Sequence, residues 1–212
     1  MQQNTYDMRD ITNLNDYRQS LRHRIIENAM QLFWKHGIRA VKMDDVAHSL
    51  SISKRTLYEI FSTKEEVLLE GLTTYRQQHA EELGQQLACC RDVMDILLYV
   101  YRDKIEEFRR VNPVFFSDLQ LYPEVMLSFE SDRERQHKEF LDFMQRGVNE
   151  GFFRSDIDFE LVGKMLSALG NYLMTNELYR TYSIEQLFRN MIFVTLRGLC
   201  TKKGADRLDT FL

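Results

Sequence analysis

Two helix-start signals stand only about nine residues apart, at Ser53 and Ser62 in the stretch SISKRTLYEIFSTKEE. A helix confined between them is short. On a helical wheel Leu57, Ile60 and Phe61 share one face, while Arg55 and Glu59 point the opposite way, with Thr56 and Tyr58 on the flanks. Ser53 is placed to cap this helix. The sequence Ser62-Thr63-Lys64-Glu65 matches the pattern in which a hydroxyl and a carboxylate satisfy each other's free amides, so a further helix is expected from about Thr63 into the 80s. A stubby helix with one greasy face and one basic, hydroxyl-bearing face is the feature any fold of this chain must accommodate.

The residues before it supply its partners. SLRHRIIENAMQLFWKHG repeats Leu21, Ile25, Ala29, Leu32 and Phe33 at three- and four-residue spacing, with Ser20 to cap its start and Gly37 to end it. MDDVAHSL places Met43, Val46, Ala47 and Leu50 on one face, with Asp44 and Asp45 in the first turn, where the helix dipole favours acids. Two short helices joined by a tight turn, the second basic and polar outward, describe a helix-turn-helix. Its second helix must be short enough to lie in a major groove and must offer donors to phosphates and base edges. Lys54, Arg55, Thr56 and Tyr58 are the donors it carries.

The charge distribution agrees. The 212-residue chain has a net charge of −4, yet Ser20 to Lys64 holds eight basic and four acidic residues, leaving 20 basic and 28 acidic elsewhere. A basic module is joined to an acidic body. Two prolines and nine glycines in the whole chain favour long, uninterrupted helices. The body reads as helical throughout: DVMDILLYVYRDKIEEFRRV, a segment broken near Pro123, a long helix to about Glu150, the turn GFFRSDID, and the apolar runs FELVGKMLSALGNYLMTNELYR and IEQLFRNMIFVTLRGLC. The expected class is all-α. The expected organisation is a polar N-terminal arm over residues 1–19, a helix-turn-helix DNA-binding head over 20–66 and a helical body over 67–212.

GIRAVKMDDVAHSLSISKRTLYEIFSTKEEVL is similar to the N-terminal signature of the TetR family of bacterial transcriptional regulators, in Gly37, Val46-Ala47, Ser53, Thr56-Leu57-Tyr58, Phe61, Lys64 and Glu65. The resemblance is close from Ile25 to Leu69, and GFFRSDID looks like the turn preceding the last two helices of that family. The resemblance implies a homodimer bound to double-stranded, palindromic DNA, a repressor whose body over residues 67–212 binds a small effector that releases it and dimerises through its last two helices. Lys42, Ser53, Lys54, Arg55, Thr56, Tyr58 and Lys64 would form the DNA face, with Tyr58 donating its hydroxyl to a phosphate and Lys64 binding phosphate at a helix N-terminus. Three positions depart from the pattern: Lys42 stands where a hydroxyl residue is usual, Ser51 where the turn often has glycine, and Glu59 places an acid on the exposed face, either to accept from a cytosine amino group or simply to face solvent.

In the body, Phe115, Phe116, Tyr122, Met126, Phe140, Phe143, Met144, Met165 and Tyr172 are candidates to line a pocket for a small apolar or amphipathic effector, each with core filling as the competing role. Leu161, Leu173, Leu187, Met191 and Val194 exceed what one buried stripe needs, which suggests a four-helix dimer interface, with a central pair of core helices as the competing role. No carboxylate pair, activated nucleophile or phosphate-cradling loop points to an enzyme, and no cofactor or metal set is expected. The three cysteines fit a reducing cytoplasm, and neither a secretory leader nor a membrane span is expected. The alternative is a small-molecule or protein-interaction module with a weakened DNA head, kept open by Asp44, Asp45 and Glu59.

Overall fold

The computed structural model describes residues 4–130 and 133–211, and among these the chain is helical without strands. It divides into two compact units, Met1–Gln78 and His79–Leu212. No helix among the described residues is long and apolar enough to cross a membrane.

The first unit is built on α1 (Asn4–His36), α2 (Met43–Ser49), α3 (Lys54–Tyr58) and the start of α4 (Lys64–Leu87). Most of the stretch read as a polar arm belongs to α1, and its first three residues lie outside those described. Leu21, Ile25, Ala29 and Phe33 of α1 are buried with Val46 and Ala47 of α2, Leu57 and Phe61, and Val67 and Leu68 of α4. This is the apolar face the spacing implies. Gly37, at φ +84°, ends α1, its N–H bonded to the Phe33 carbonyl at 2.8 Å.

The turn between α2 and α3 is a Schellman motif: Ser51 N–H reaches the His48 carbonyl and Ile52 N–H the Ala47 carbonyl, both at 3.0 Å. Ser51 occupies the left-handed position, φ +55°, that this motif usually gives to glycine. Ser53 caps α3 as its position suggests, its hydroxyl accepting from Thr56 N–H at 3.0 Å. At α4 the capping contacts fall one residue later than the sequence pattern indicates. Thr63 Oγ1 accepts from Glu66 N–H at 3.1 Å, and the Glu66 carboxylate accepts from Ser62 N–H at 2.7 Å. Glu65 is displaced from that role because Thr63, not Ser62, precedes the first helical residue.

The second unit contains the end of α4, then α5 (Val93–Arg110), α6 (Val114–Leu119), α7 (Pro123–Glu130), α8 (Arg133–Asn149), α9 (Phe159–Thr175), a 3-10 turn (Leu178–Arg180), α10 (Ile184–Leu187), α11 (Val194–Leu199) and α12 (Lys202–Asp209). A π-helical stretch, Phe188–Phe193, joins α10 to α11, so the last apolar run is one rod with a change of hydrogen-bond register inside it. The core gathers Val93 and Met94, Met144, Phe152 and Phe153, Val162, Phe193, Leu196, Leu199 and Leu208. Phe153 and Cys200 form an antiparallel bridge, which seats the turn after α8 against the end of α11. Glu150 fastens the same corner: its carboxylate accepts from Val93 N–H at 2.8 Å and Arg146 Nε at 2.6 Å. His79 Nε2 lies 3.0 Å from Asp103 Oδ2, tying the end of α4 to α5.

Candidate nucleic-acid interface and apolar cavity

The orientation of α3 follows from its anchors. Leu57 and Phe61 are fully buried, and their burial turns Tyr58 outward, 49 % exposed. Lys54, Arg55 and Ser53 are exposed, and Thr56 is partly so. The Thr56 hydroxyl lies 2.8 Å from Ser53 Oγ, which fixes both at the entrance to the helix.

Both cations of α3 have an acidic neighbour. Lys54 Nζ pairs with Asp44 of α2, and Arg55 Nε donates to Glu59 Oε1 at 2.9 Å. Hydrogen bonding to those carboxylates raises the pKa of both cations above their ordinary values, so both are charged at neutral pH. Asp45, the other acid at the start of α2, accepts from Lys42 N–H at 2.7 Å, while the Lys42 residue itself is exposed.

Lys64 is placed differently. Its ammonium donates to the carbonyl oxygens of Ile38 at 2.9 Å and Val41 at 3.1 Å, in the link between α1 and α2. A phosphate would share this ammonium with two backbone acceptors. Arg22, which the sequence reading does not single out, is the larger organiser. It donates from Nε to Glu70 Oε1 at 2.8 Å and from Nη1 to the Ile60 carbonyl at 3.1 Å, and it lies over the Phe61 ring. It therefore joins α1 and α4 to the segment that leaves α3. No sequence period marks such a residue, since an arginine on an apolar face reads as a boundary position.

The second unit holds a cavity of about 190 Å³ lined by apolar side chains, among them Phe108, Phe116, Leu173, Leu187, Phe188 and Ile192, with Gly170 and Tyr179 also on its wall. Of the pocket candidates, Phe116 lies on it. Phe115 and Met144 are buried elsewhere, Phe140 and Phe143 pack on the core cluster, and Tyr122 and Met126 are half-buried on and beside α7. Met165 and Tyr172 are exposed on α9. Of the interface candidates, Leu173 and Leu187 line the cavity, Met191 is half-buried, and Leu161 and Val194 are 65 % and 62 % exposed. Leu161, Met165, Ala168 and Tyr172 thus form an exposed stripe along α9 at alternating three- and four-residue spacing.

Among the described residues no cluster of His, Cys, Asp and Glu could hold a metal ion. Burial pushes the Cys200 thiol up to about 11, so it is protonated at neutral pH.

A family model described as bacterial regulatory proteins, tetR family, matches residues 25–70, the span that carries α2, α3 and the start of α4. The chain is 26 % identical over 193 residues to the HTH-type transcriptional repressor KstR2 of Mycolicibacterium smegmatis, covering 87 % of this chain and 93 % of that one. Among solved structures, the ketosteroid transcriptional regulator KstR2 of Mycobacterium tuberculosis matches with a TM-score of 0.61 at 22 % identity, over 85 % of this chain and 95 % of that one. A transcriptional regulator from Saccharomonospora viridis, solved in complex with choline, matches with a TM-score of 0.70 at 20 % identity, over 87 % and 100 %.

Proposed function

We propose that this chain, whose residues 25–70 match the tetR family of bacterial regulatory proteins and which is similar to an HTH-type transcriptional repressor over most of its length, is a DNA-binding transcriptional regulator that works as a repressor: a homodimer holds a palindromic operator and a small apolar or amphipathic effector releases it. The observation that carries this reading is the pose of α3. Leu57 and Phe61 are sunk to zero exposure while Arg55, Tyr58 and Lys54 project outward. Exposed Lys42, Lys54 and the Tyr58 hydroxyl suit phosphates, and Arg55 can reach base edges. Binding of this kind weakens steeply with salt, because each neutralised phosphate releases counterions.

The exposed stripe Leu161, Met165, Ala168 and Tyr172, with Val194, supports dimerisation through α9 and the α10–α11 rod. The cavity supports an effector. At about 190 Å³ it exceeds the ~150 Å³ cavities that hold benzene, and it falls short of the roughly 300–1,000 Å³ typical of drug-sized ligands. A ring or a short alkyl chain fits it, whereas a ligand the size of a steroid would require the walls to part. An effector needs only to bind the released conformation more tightly than the DNA-bound one. The helix α4, whose residues fall in both units, is the element through which that preference would pass.

Fluorescence anisotropy of the full chain on a random-sequence duplex across a salt series tests the DNA-binding part. The wild type should bind with a steep salt slope, and Arg55→Ala/Tyr58→Ala should lose affinity with a shallower one. Unchanged affinity and slope in the double variant would count decisively against α3 as the contact surface. Native mass spectrometry should show a dimer, which a Leu161→Glu/Met165→Glu variant should lose.

A further inference from the structure

Glu59 is an unexpected residue on a surface that meets a polyanion. It sits one turn beyond Arg55, at the end of α3, and its side chain is 54 % exposed beside an arginine that is 89 % exposed. So open an ion pair adds little to folding, and the anchoring of α3 rests on Leu57 and Phe61 instead. What the pair does is geometric. A guanidinium has two donor edges, one containing Nε and one formed by the two terminal nitrogens. Glu59 Oε1 takes Nε at 2.9 Å. That bond occupies the Nε edge of the group and restrains it from that side, leaving the terminal fork to other acceptors. The fork's parallel N–H bonds match the O6 and N7 acceptors of guanine in the major groove. Lys54 contrasts with it: paired to Asp44, it is a point charge without a fork and suits a phosphate rather than a base.

We infer that Arg55 reads a guanine in each half of the target site through its terminal nitrogens, and that Glu59 is the positioning residue that holds the fork while its charge weakens binding to every duplex. The inference rests on the reading of α3 as the DNA-contacting helix. It also accounts for the acid: a carboxylate beside the arginine costs affinity for every duplex, and the oriented fork recovers it only where a guanine is present.

The test begins with selection of duplexes from a randomised pool by the full chain. Anisotropy then compares the selected duplex with versions in which each G·C pair is changed to A·T. In the wild type one guanine per half-site should matter by about tenfold or more when replaced. Arg55→Ala and Arg55→Lys should flatten that position to less than about threefold while leaving the other positions as they are. Glu59→Gln should bind random duplex more tightly yet lose several-fold of the discrimination at that same guanine. Circular dichroism should find all three variants folded. Retention of wild-type discrimination by Arg55→Lys would overturn the inference. So would a Glu59→Gln protein that binds all duplexes more tightly with its discrimination intact, for Glu59 would then be a repelling charge alone. A wild-type chain that binds duplex DNA with no Arg55-dependent guanine defeats this inference and spares the regulator reading. A wild-type chain that binds no duplex at all defeats both.

Discussion

The guanidinium carbon of Arg22 lies 4.1 Å from the centroid of the Phe61 ring, and the same group grips Glu70 and the Ile60 carbonyl. Phe61 is buried just beyond the end of α3, so Arg22 holds the α3 segment from the α1 side while Glu70 holds Arg22 from α4. Arg22→Ala removes a cation–π contact worth about 0.5–1 kcal/mol and a partly exposed bidentate pair of similar size, so the expected loss is about 1–2 kcal/mol. Arg22→Lys, which keeps charge but loses the fork, should fall between. Urea unfolding of the full chain checks the stability, and DNA affinity measured well below the unfolding midpoint should drop more for Arg22→Ala than for Arg22→Lys.

The helix-turn-helix was legible in the sequence because its signals are local. Ser53 caps α3 by its position, and Leu57 and Phe61 are buried because they share a face. Signals that depend on register or on distant partners were not. The capping contacts of α4 sit one residue beyond the matching motif, since Ser62 and Thr63 both offer a hydroxyl and only the backbone chooses. The π-helical stretch Phe188–Phe193 changes which carbonyl each amide meets, and side-chain types do not record that. The short α12 went unread because its inward residues are Gly204 and Leu208 in an otherwise polar run. In the body, core filling and cavity lining both select large apolar residues. Sequence therefore gave no means of separating Phe116, which lines the cavity, from Phe115, which is buried beside it.

Gly204 and Gly84 offer a matched pair of substitutions with opposite signs. A Cβ on Gly204 would lie 2.3 Å from the Phe152 carbonyl oxygen, and backbone cannot step aside as a flexible side chain can. Gly204→Ala should destabilise the second unit by about 1–3 kcal/mol. A Cβ on Gly84, exposed in α4, would meet nothing within 4 Å. Gly84→Ala should stabilise α4 by about 0.5–1 kcal/mol, the helix-propensity difference. Thermal unfolding followed by circular dichroism distinguishes the two, and equal effects would contradict the packing described.

Glu150 makes the second unit sensitive to acid. The Val93 backbone N–H, followed by Arg146, holds its carboxyl below the ordinary value of 4.5, against the opposing effect of burial. A carboxylate whose pKa is lower folded than unfolded stabilises fully above its unfolded pKa, and that contribution disappears as pH falls through the folded value. Glu150→Gln should therefore be less stable than wild type at pH 7, and the difference in Tm should shrink steadily below about pH 4.5, where the wild-type group is itself taking up protons. A difference constant from pH 7 to pH 3 would mean that the charge of Glu150 contributes nothing.

Gly170 bears on whether the cavity is a binding site or a packing defect. It lies on the cavity wall, and a Cβ there would meet nothing within 4 Å. A leucine at this position has room to point into the space and replaces the residue least suited to the interior of α9. Gly170→Leu should thus raise stability by about 1 kcal/mol, mostly through helix propensity. Leu173→Ala, which enlarges the same cavity from the next turn of the wall, should cost about 2–5 kcal/mol. Benzene serves as the probe of the space itself: saturating benzene should raise the Tm of the wild type, raise that of Leu173→Ala at least as much, and leave Gly170→Leu unmoved. Equal shifts in all three proteins would mean that benzene binds elsewhere, and the effector reading would then have to be sought on a different surface.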